Sequence, residues 1–120
     1  MTDRKELIRK YKETPRPMGV YRIRNNANGK ALVGASRDIT GKLNSHRAQL
    51  RMKVHRNEQL QQEWEEFGPD AFAFETLDLL EPSEEPSYDP TEDLRVLEDL
   101  WLQKLQPFGD KGYNRKSRRA

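Results

Sequence analysis

The sequence predicts one small α/β domain of the α+β kind, built from three short strands and several helices. Residues 19–36 (GVYRIRNNANGKALVGAS) contain two runs of strand-forming residues around an Asn28-Gly29 turn, and Asn-Gly between such runs is a strong hairpin signal. Residues 71–80 (AFAFETLDLL) give a third strand-like run. The segments around these strands carry apolar residues at helical spacing. A chain of 120 residues suits a single domain with a modest core.

Composition excludes several classes of protein. The chain has no cysteine, which rules out disulfides and thiolate metal sites. Its first residues are charged, with no apolar run behind them, so we expect no signal peptide. No stretch approaches the length of a membrane span. We therefore expect a cytoplasmic protein without membrane association, whose surface is heavily charged because Asp, Glu, Lys and Arg make up 35% of the chain.

Charge is divided unevenly along the chain, although the formal net charge is only +2. Residues 1–57 carry 15 Lys or Arg against 4 Asp or Glu, and residues 58–99 carry 1 against 15. Residues 100–120 are basic again, with 6 against 1. A basic half that includes the hairpin favours a polyanionic partner, with nucleic acid first. The alternative is that the opposite charges meet within the fold.

The helices before the third strand follow from apolar spacing and from residues that favour helix ends. Residues 2–13 predict an N-terminal helix, and the prolines behind it lead extended chain into the first strand. Ser36 or Asp38 can cap a second helix. Asn57 can cap a third, which Gly68 ends.

The second half of the chain adds a strand, a loop and a final helix. The third strand carries apolar residues on both faces, which predicts cover on both sides. Residues 81–90 (EPSEEPSYDP) are acidic with three prolines and predict an exposed, mobile loop. Thr91 is expected to cap the last helix. The chain then divides into an N-terminal helix with its lead-in (1–17), a domain (18–115) and a basic tail (116–120).

Glu98 is the most informative residue of the last helix. The apolar stripe of that helix has four members, Leu94, Leu97, Trp101 and Leu105. At about 100° per residue, Glu98 falls inside the same arc. A carboxylate that points inward must be paired, protonated or bound to a cation. Two interpretations stay open, a metal ligand and an ion pair with Lys42 or Arg37, and the helix alone favours the ion pair.

Lys42, His46 and His55 are the next candidates. Lys42 and His46 lie one turn apart on one helix face, and His55 lies in a basic connector at 52–56. With Glu98 they could form a phosphodiester site, in which a cation offsets charge on phosphorus, a histidine moves a proton and the glutamate holds a metal. Zinc is less expected, because the spacing follows no compact ligand pattern. Tyr21, taken alone, is an ordinary strand aromatic.

The order of several short motifs resembles the GIY-YIG nuclease superfamily, and in the middle of the chain its homing-endonuclease branch. Gly19-Val20-Tyr21 matches the first motif. Leu32-Val33-Gly34 lies where the second motif is expected. Lys42 falls at the family's arginine position, followed four residues later by His46. The remaining matches lie further along the chain.

His55 falls at the second histidine position of the family, and residues 57–80 resemble the segment that follows it. Glu98 matches the glutamate of the last helix, and Gly112-Tyr113-Asn114 matches the closing GYN. Each motif is short, and their order and spacing together carry the resemblance, which covers about residues 18–115.

The resemblance implies a small three-stranded antiparallel sheet flanked by helices, with a shallow site on the sheet. It implies one divalent cation, Mg²⁺ or Mn²⁺, on Glu98. Tyr21 would be the base or would orient the attacking water, and His46 would assist proton transfer or grip the phosphate. Asn114 would brace the site. The catalytic residues implied in this way are Tyr21, Lys42, His46, His55 and Asn114.

DNA is the expected partner, with RNA as an alternative, and the oligomeric state is open. We expect phosphate contacts from basic residues of the first half of the chain. These are Arg22, Arg24, Lys30, Arg37, Arg47, Lys53 and Arg56.

Two positions depart from the family's pattern. Leu32 replaces the second tyrosine, and Lys42 replaces the arginine, which keeps the charge but loses the bidentate fork. Losing a preorganised donor typically costs about 10²–10³ in rate. Three hypotheses follow: a metal-dependent endonuclease with an altered active site, an inactive nucleic-acid-binding module on the same scaffold, and a protein-interaction domain.

Overall fold

The computed structural model describes residues 16–81 and 83–115. Three strands, β1 (Met18–Asn25), β2 (Ala31–Ser36) and β3 (Phe72–Leu80), form one antiparallel sheet in the order β2-β1-β3. The helices are α1 (Ile39–Arg51), α2 (Glu58–Phe67) and α3 (Thr91–Leu105). The predicted α+β class with a three-stranded antiparallel sheet is confirmed. The predicted N-terminal helix at 2–13 and the basic tail at 116–120 lie outside the described residues.

The hairpin between β1 and β2 forms as its turn residues predict. Gly29 has φ +79°, a left-handed conformation that glycine adopts without steric cost. Its backbone N–H donates to the Asn25 carbonyl at 2.7 Å. The hairpin places β1 in the centre of the sheet, so side chains of β1 contact helices on both faces.

One face of the sheet holds the main core. Its buried cluster joins the sheet to α1, α2 and the last loop and consists of Ile23, Leu50, Leu60, Trp64, Phe72 and Tyr113. Successive side chains of a strand point to opposite faces, and Val20 lies three residues before Ile23 on β1. Val20 therefore points to the other face. There Asp78, the cross-strand partner of Val20, accepts a hydrogen bond from Trp101 Nε1 of α3 at 3.0 Å. The sheet is thus covered by α1 and α2 on one face and by α3 on the other.

The helix starts follow the predicted caps in two of three cases. Asp38 accepts from the Gly41 N–H at 3.1 Å, and Asn57 accepts from the Leu60 N–H at 3.0 Å. The predicted cap at Thr91 is wrong. Pro90 stands at the N-cap position and Thr91 is the first helical residue. The N–H and hydroxyl of Thr91 both donate to the Asp89 carboxylate, which takes the place of a cap from Thr91.

The third strand is less covered than its apolar run predicted. β3 is an edge strand, and its pairing with β1 is shifted by an irregularity at Val20/Tyr21. Leu79 is 58% exposed, so cover on both sides is wrong for this end of the strand. In the acidic loop 81–90, most described residues are exposed, and Asp89 anchors its end through Arg37 at 2.5 Å.

No helix in the described part of the chain has the length and apolar content needed to cross a membrane.

Candidate active site

Tyr21 lies on the central strand and is 5% exposed. It pairs across the sheet with Gly34 of β2. A Cβ atom at Gly34 would lie 2.5 Å from the Tyr21 hydroxyl oxygen, so only glycine leaves room for the phenol ring beside β2. This contact explains in physical terms why the second motif ends in glycine.

A hydrogen-bonded chain runs from Tyr21 to two histidines. The Tyr21 hydroxyl lies 3.0 Å from Nε2 of His46 on α1. Nδ1 of His46 lies 2.7 Å from Nε2 of His55 in the connector after α1. At the far end, the backbone N–H of Asn57 donates to Nδ1 of His55 at 3.0 Å. Three side chains that are distant in sequence therefore form one continuous chain.

The backbone N–H at the end of the chain fixes the direction of every bond in it. An N–H can only donate, so Nδ1 of His55 is an acceptor and the neutral ring carries its proton on Nε2. That proton is donated to Nδ1 of His46, which places the proton of His46 on Nε2. His46 therefore donates to the Tyr21 oxygen, and the hydroxyl hydrogen of Tyr21 points away from His46.

We predict that both imidazoles are Nε2–H tautomers at neutral pH. The measurement is a long-range ¹H–¹⁵N correlation spectrum of histidine-labelled protein, which distinguishes protonated from unprotonated ring nitrogens. In the variant His55→Glu, measured above the pKa of His46, a carboxylate replaces the donor and the proton of His46 should move to Nδ1. A wild-type spectrum with Nδ1–H on His46 would contradict the assigned direction.

Burial keeps all three groups uncharged at neutral pH. It lowers the pKa of His46 to about 4, assisted by the neighbouring His55 and Lys42. Burial, together with the charge of Lys42, also lowers the pKa of His55. Burial and the charge of Glu98 raise the pKa of Tyr21 to about 12. The chain therefore consists of a phenol and two neutral imidazoles.

Glu98 lies on α3, half-buried and beside β2. Burial raises the pKa of its carboxyl, and a hydrogen bond from the Ala35 backbone partly offsets that effect. Because its charge raises the pKa of Tyr21, the two groups lie within electrostatic range. Among residues 16–81 and 83–115, Glu98 joins no ion pair. The alternative of pairing with Lys42 or Arg37 is not found, since Arg37 pairs with Asp89.

The two positions that depart from the family's pattern have different surroundings. Leu32 pairs with Ile23 and packs against the main core, so the side chain that stands in for tyrosine serves packing. Lys42 is exposed on α1 and lies close enough to lower the pKa of both histidines by its charge. The charge that Lys42 brings to the histidine pair is thus carried by a flexible ammonium group.

Asn114 is placed on the outer edge of β2. Its side-chain amide donates to the Val33 carbonyl and accepts from the Val33 N–H, both at 2.8 Å. Both ends of the amide are therefore used to pair the edge of the sheet. This contact supports a bracing role for Asn114 at the edge of the sheet.

The predicted nucleic-acid contacts fall into two groups. Four of them form ion pairs with acidic residues of the 58–99 segment: Arg22 with Glu75, Lys30 with Glu63, Arg37 with Asp89, and Lys53 with Glu65. Arg47 stacks on Phe74, with 4.3 Å from its guanidinium carbon to the ring centre. Arg24 and Arg56 are exposed and join no ion pair among the described residues. Opposite charges therefore meet within the fold for part of the basic half.

Sequence reasoning missed one residue of this site, since it assigned Asn57 only as a helix cap. The same residue also sets the direction of the histidine chain through its backbone N–H and ties α2 to the last loop, where its amide donates to the Tyr113 carbonyl at 2.7 Å. The available signal was a histidine two residues before a helix cap, where the chain must turn and a backbone N–H can meet the ring.

The comparisons with known proteins agree with the fold. The catalytic domain of the homing endonuclease I-TevI is 25% identical, with a TM-score of 0.66, and the match covers 83% of this chain and 99% of that chain. A mutant of the catalytic domain of the intron endonuclease I-TevI is 22% identical, with a TM-score of 0.66 and cover of 82% and 92%. No curated protein sequence matches the chain.

A family model supplies the assignment. The model for the GIY-YIG catalytic domain matches residues 17–114, from the residue before β1 to the asparagine that pairs with β2. This segment contains all three strands and all three helices of the described fold. Since the match spans most of the chain and agrees with the fold, the chain belongs to the GIY-YIG nuclease superfamily.

Proposed function

We propose that the chain is a divalent-metal-dependent DNA endonuclease that hydrolyses phosphodiester bonds with an altered active site. The observation that carries the proposal is the unbroken chain from Tyr21 through His46 to His55, with Lys42 beside it and Glu98 in electrostatic range. Neutral, partly buried and directionally ordered groups of this kind are typical of a site that positions water and moves protons.

The donor set fits Mg²⁺ or Mn²⁺. Magnesium retains several waters and is usually held by one or two carboxylates together with substrate phosphates. Glu98 is a half-buried carboxylate without an ion-pair partner in the described part of the chain. Residues 16–81 and 83–115 contain no group of three or more metal-ligating side chains, which argues against a protein-enclosed zinc site. Bound at Glu98, the cation would supply positive charge to the phosphate oxygens.

Tyr21 orients the attacking water in this proposal. Its pKa of about 12 keeps it a phenol at neutral pH, so it cannot act as a base without first losing its proton. His46 holds the oxygen from one side, and the free hydroxyl hydrogen is available to a water or a phosphate oxygen on the other. Lys42 places its charge on the scissile phosphate, since its ammonium is exposed beside the histidines.

A catalytically inactive DNA-binding module is the second candidate. It is favoured by Leu32, whose position supplies no hydroxyl because the side chain packs on the core, and by Lys42, which lacks the planar fork of arginine. Such a module would bind DNA with the usual salt sensitivity and would not cut it.

Nicking of supercoiled plasmid with Mg²⁺ or Mn²⁺ tests the first candidate. We expect wild-type nicking that EDTA abolishes and that Lys42→Ala lowers by about 10²–10³. The matched control is Lys104→Ala, an exposed lysine of α3 that lies over the Trp101 ring and away from the histidines. Wild-type protein that binds plasmid without nicking it would support the inactive module, and nicking gained by Lys42→Arg with Leu32→Tyr would then identify a degenerate nuclease.

A further inference from the structure

The connector between α1 and α2 has a fixed shape at its start. Arg51, the last residue of α1, continues into the connector at 52–56, and residues 51–56 (RMKVHR) are here taken together as the connector. The Lys53 N–H donates to the Leu50 carbonyl at 3.2 Å, and the Val54 N–H donates to the Gln49 carbonyl at 3.0 Å. These two bonds form a Schellman motif, in which glycine is usual at the left-handed position. Here Lys53 occupies that position with φ +62°, a conformation that costs free energy for a side-chain-bearing residue.

The connector presents two apolar side chains to solvent. Met52 is 70% exposed and Val54 is 60% exposed, on either side of Lys53. The backbone bonds of the Schellman motif hold both in place, so neither can turn inward without breaking the helix end. Two large apolar groups are therefore held outward within three residues, and they form a small exposed apolar surface.

The charge around these side chains identifies the partner as anionic. Residues 39–57 contain five Lys or Arg and no Asp or Glu. Within the connector, Arg51 and Arg56 are exposed. The contact of Lys53 with Glu65 is long, at 3.6 Å, and exposed on both sides, so it contributes little.

The position of the connector relates this surface to the candidate active site. His55 belongs to the connector, and its ring lies 2.7 Å from His46. Its backbone N–H also donates to Gln61 of α2 at 3.1 Å, which holds the end of the connector against the domain. Val54 directly precedes His55 in the chain, so a duplex whose phosphate lies beside Tyr21 and His46 also lies close to the connector.

We propose that the 51–56 connector enters a groove of the duplex DNA at this site, with Met52 and Val54 against deoxyribose and base edges and the flanking cations on phosphates. Apolar residues flanked by Arg and Lys are used in this way by proteins that contact the minor groove. The inference rests on the proposed function, because it takes DNA as the substrate. It adds a contact that is independent of charge.

Duplex binding by fluorescence anisotropy in EDTA tests the contact. The variant Met52→Ser with Val54→Ser should weaken binding of a labelled DNA duplex about tenfold, while the slope of log K against log salt stays unchanged because no phosphate contact is lost. Arg51→Gln with Arg56→Gln should instead reduce that slope by about 2. The matched control is Val96→Ser with Leu100→Ser, which are 46% and 58% exposed on α3 and should leave binding unchanged.

The outcomes separate this inference from the proposed function. If the wild type nicks plasmid and the Met52/Val54 variant binds duplex as tightly as the wild type, the connector inference is overturned and the nuclease proposal stands. Weakening that the Val96/Leu100 control shares would also overturn it. If the wild type neither binds duplex nor nicks plasmid, both fail. Thermal unfolding of each variant tests whether weakened DNA binding is caused by loss of the fold.

Discussion

Glu98→Gln is expected to abolish metal-dependent nicking without lowering the thermal stability of the protein. The carboxylate is the only ligand that we assign to the cation, and a neutral amide of the same shape cannot replace its charge. The folded protein has no ion pair at Glu98 within the described residues, so the substitution breaks no such contact. A structural glutamate would behave in the opposite way, with activity and stability lost together.

The role of Glu98 can also be measured through the pH dependence of protein stability. Burial raises the pKa of Glu98 above its ordinary value of 4.5, so the folded protein holds the proton more tightly than the unfolded chain. Wild-type stability should therefore decrease as pH rises from 4.5 through the folded pKa. Glu98→Gln should lack that component when unfolding is followed in urea at several pH values.

A control on the same helix completes the test. Glu92 is exposed on the first turn of α3 and pairs only with Arg95 among the described residues. Glu92→Gln should keep full nicking activity. Equal losses of activity in the two variants, or a clear drop in unfolding temperature for Glu98→Gln alone, would contradict the role of Glu98 as a cation ligand.

The fold was predictable because its strongest signals are local. The Asn28-Gly29 turn, the cap residues Asp38 and Asn57, and the stop at Gly68 act within a few residues of where they stand. The position of the third strand was predictable, but the burial of its side chains was not. Whether Leu79 is buried depends on which strand lies at the edge of the sheet, and an apolar run does not contain that information.

The candidate site was predictable only in part, because its geometry is long-range. Helical spacing placed Glu98 on an inward arc, and Glu98 is half-buried in the structure. The contact of His46 with His55 depends on the connector folding back, and the direction of their bonds depends on a backbone N–H. Neither follows from residue types. The ion pairs of Arg22 and Lys30 were likewise not predictable, since charge segregation along a chain does not say which charges meet.

Glu63 falls on the inward arc of its helix for the same geometrical reason as Glu98. Glu63 lies between Leu60 and Trp64 on the inward side of α2 and is 8% exposed. Its carboxylate accepts from Asn28 at 2.6 Å and from the Tyr113 hydroxyl at 2.9 Å. Lys30, Asn25 and Gln59 add three longer contacts. Glu63 thereby joins the hairpin turn, α2 and the last loop.

Glu63→Leu is therefore expected to lower the free energy of unfolding by about 3–5 kcal/mol. The substitution leaves the buried Tyr113 hydroxyl without its acceptor, while the side-chain nitrogen of Asn25 keeps only its hydrogen bond to that hydroxyl. Neither group is easily exposed, because both lie in the packed core. Urea unfolding followed by tryptophan fluorescence measures the change. The control is Glu66→Leu, an exposed glutamate of the same helix, which should change the free energy by no more than about 0.5 kcal/mol.

The contribution of Glu63 to stability changes with pH in the opposite direction from that of Glu98. Burial opposes ionisation, but hydrogen bonds from Asn28, Tyr113 and Lys30 outweigh it and lower the pKa of Glu63 below 4.5. Its contribution to stability is therefore fully present above pH 4.5 and is lost as pH falls through the folded pKa. The gap in stability between wild type and Glu63→Leu should narrow on acidification. A gap that stays constant from neutral pH down to about 3 would show that the carboxylate charge is not what holds the hairpin turn to α2.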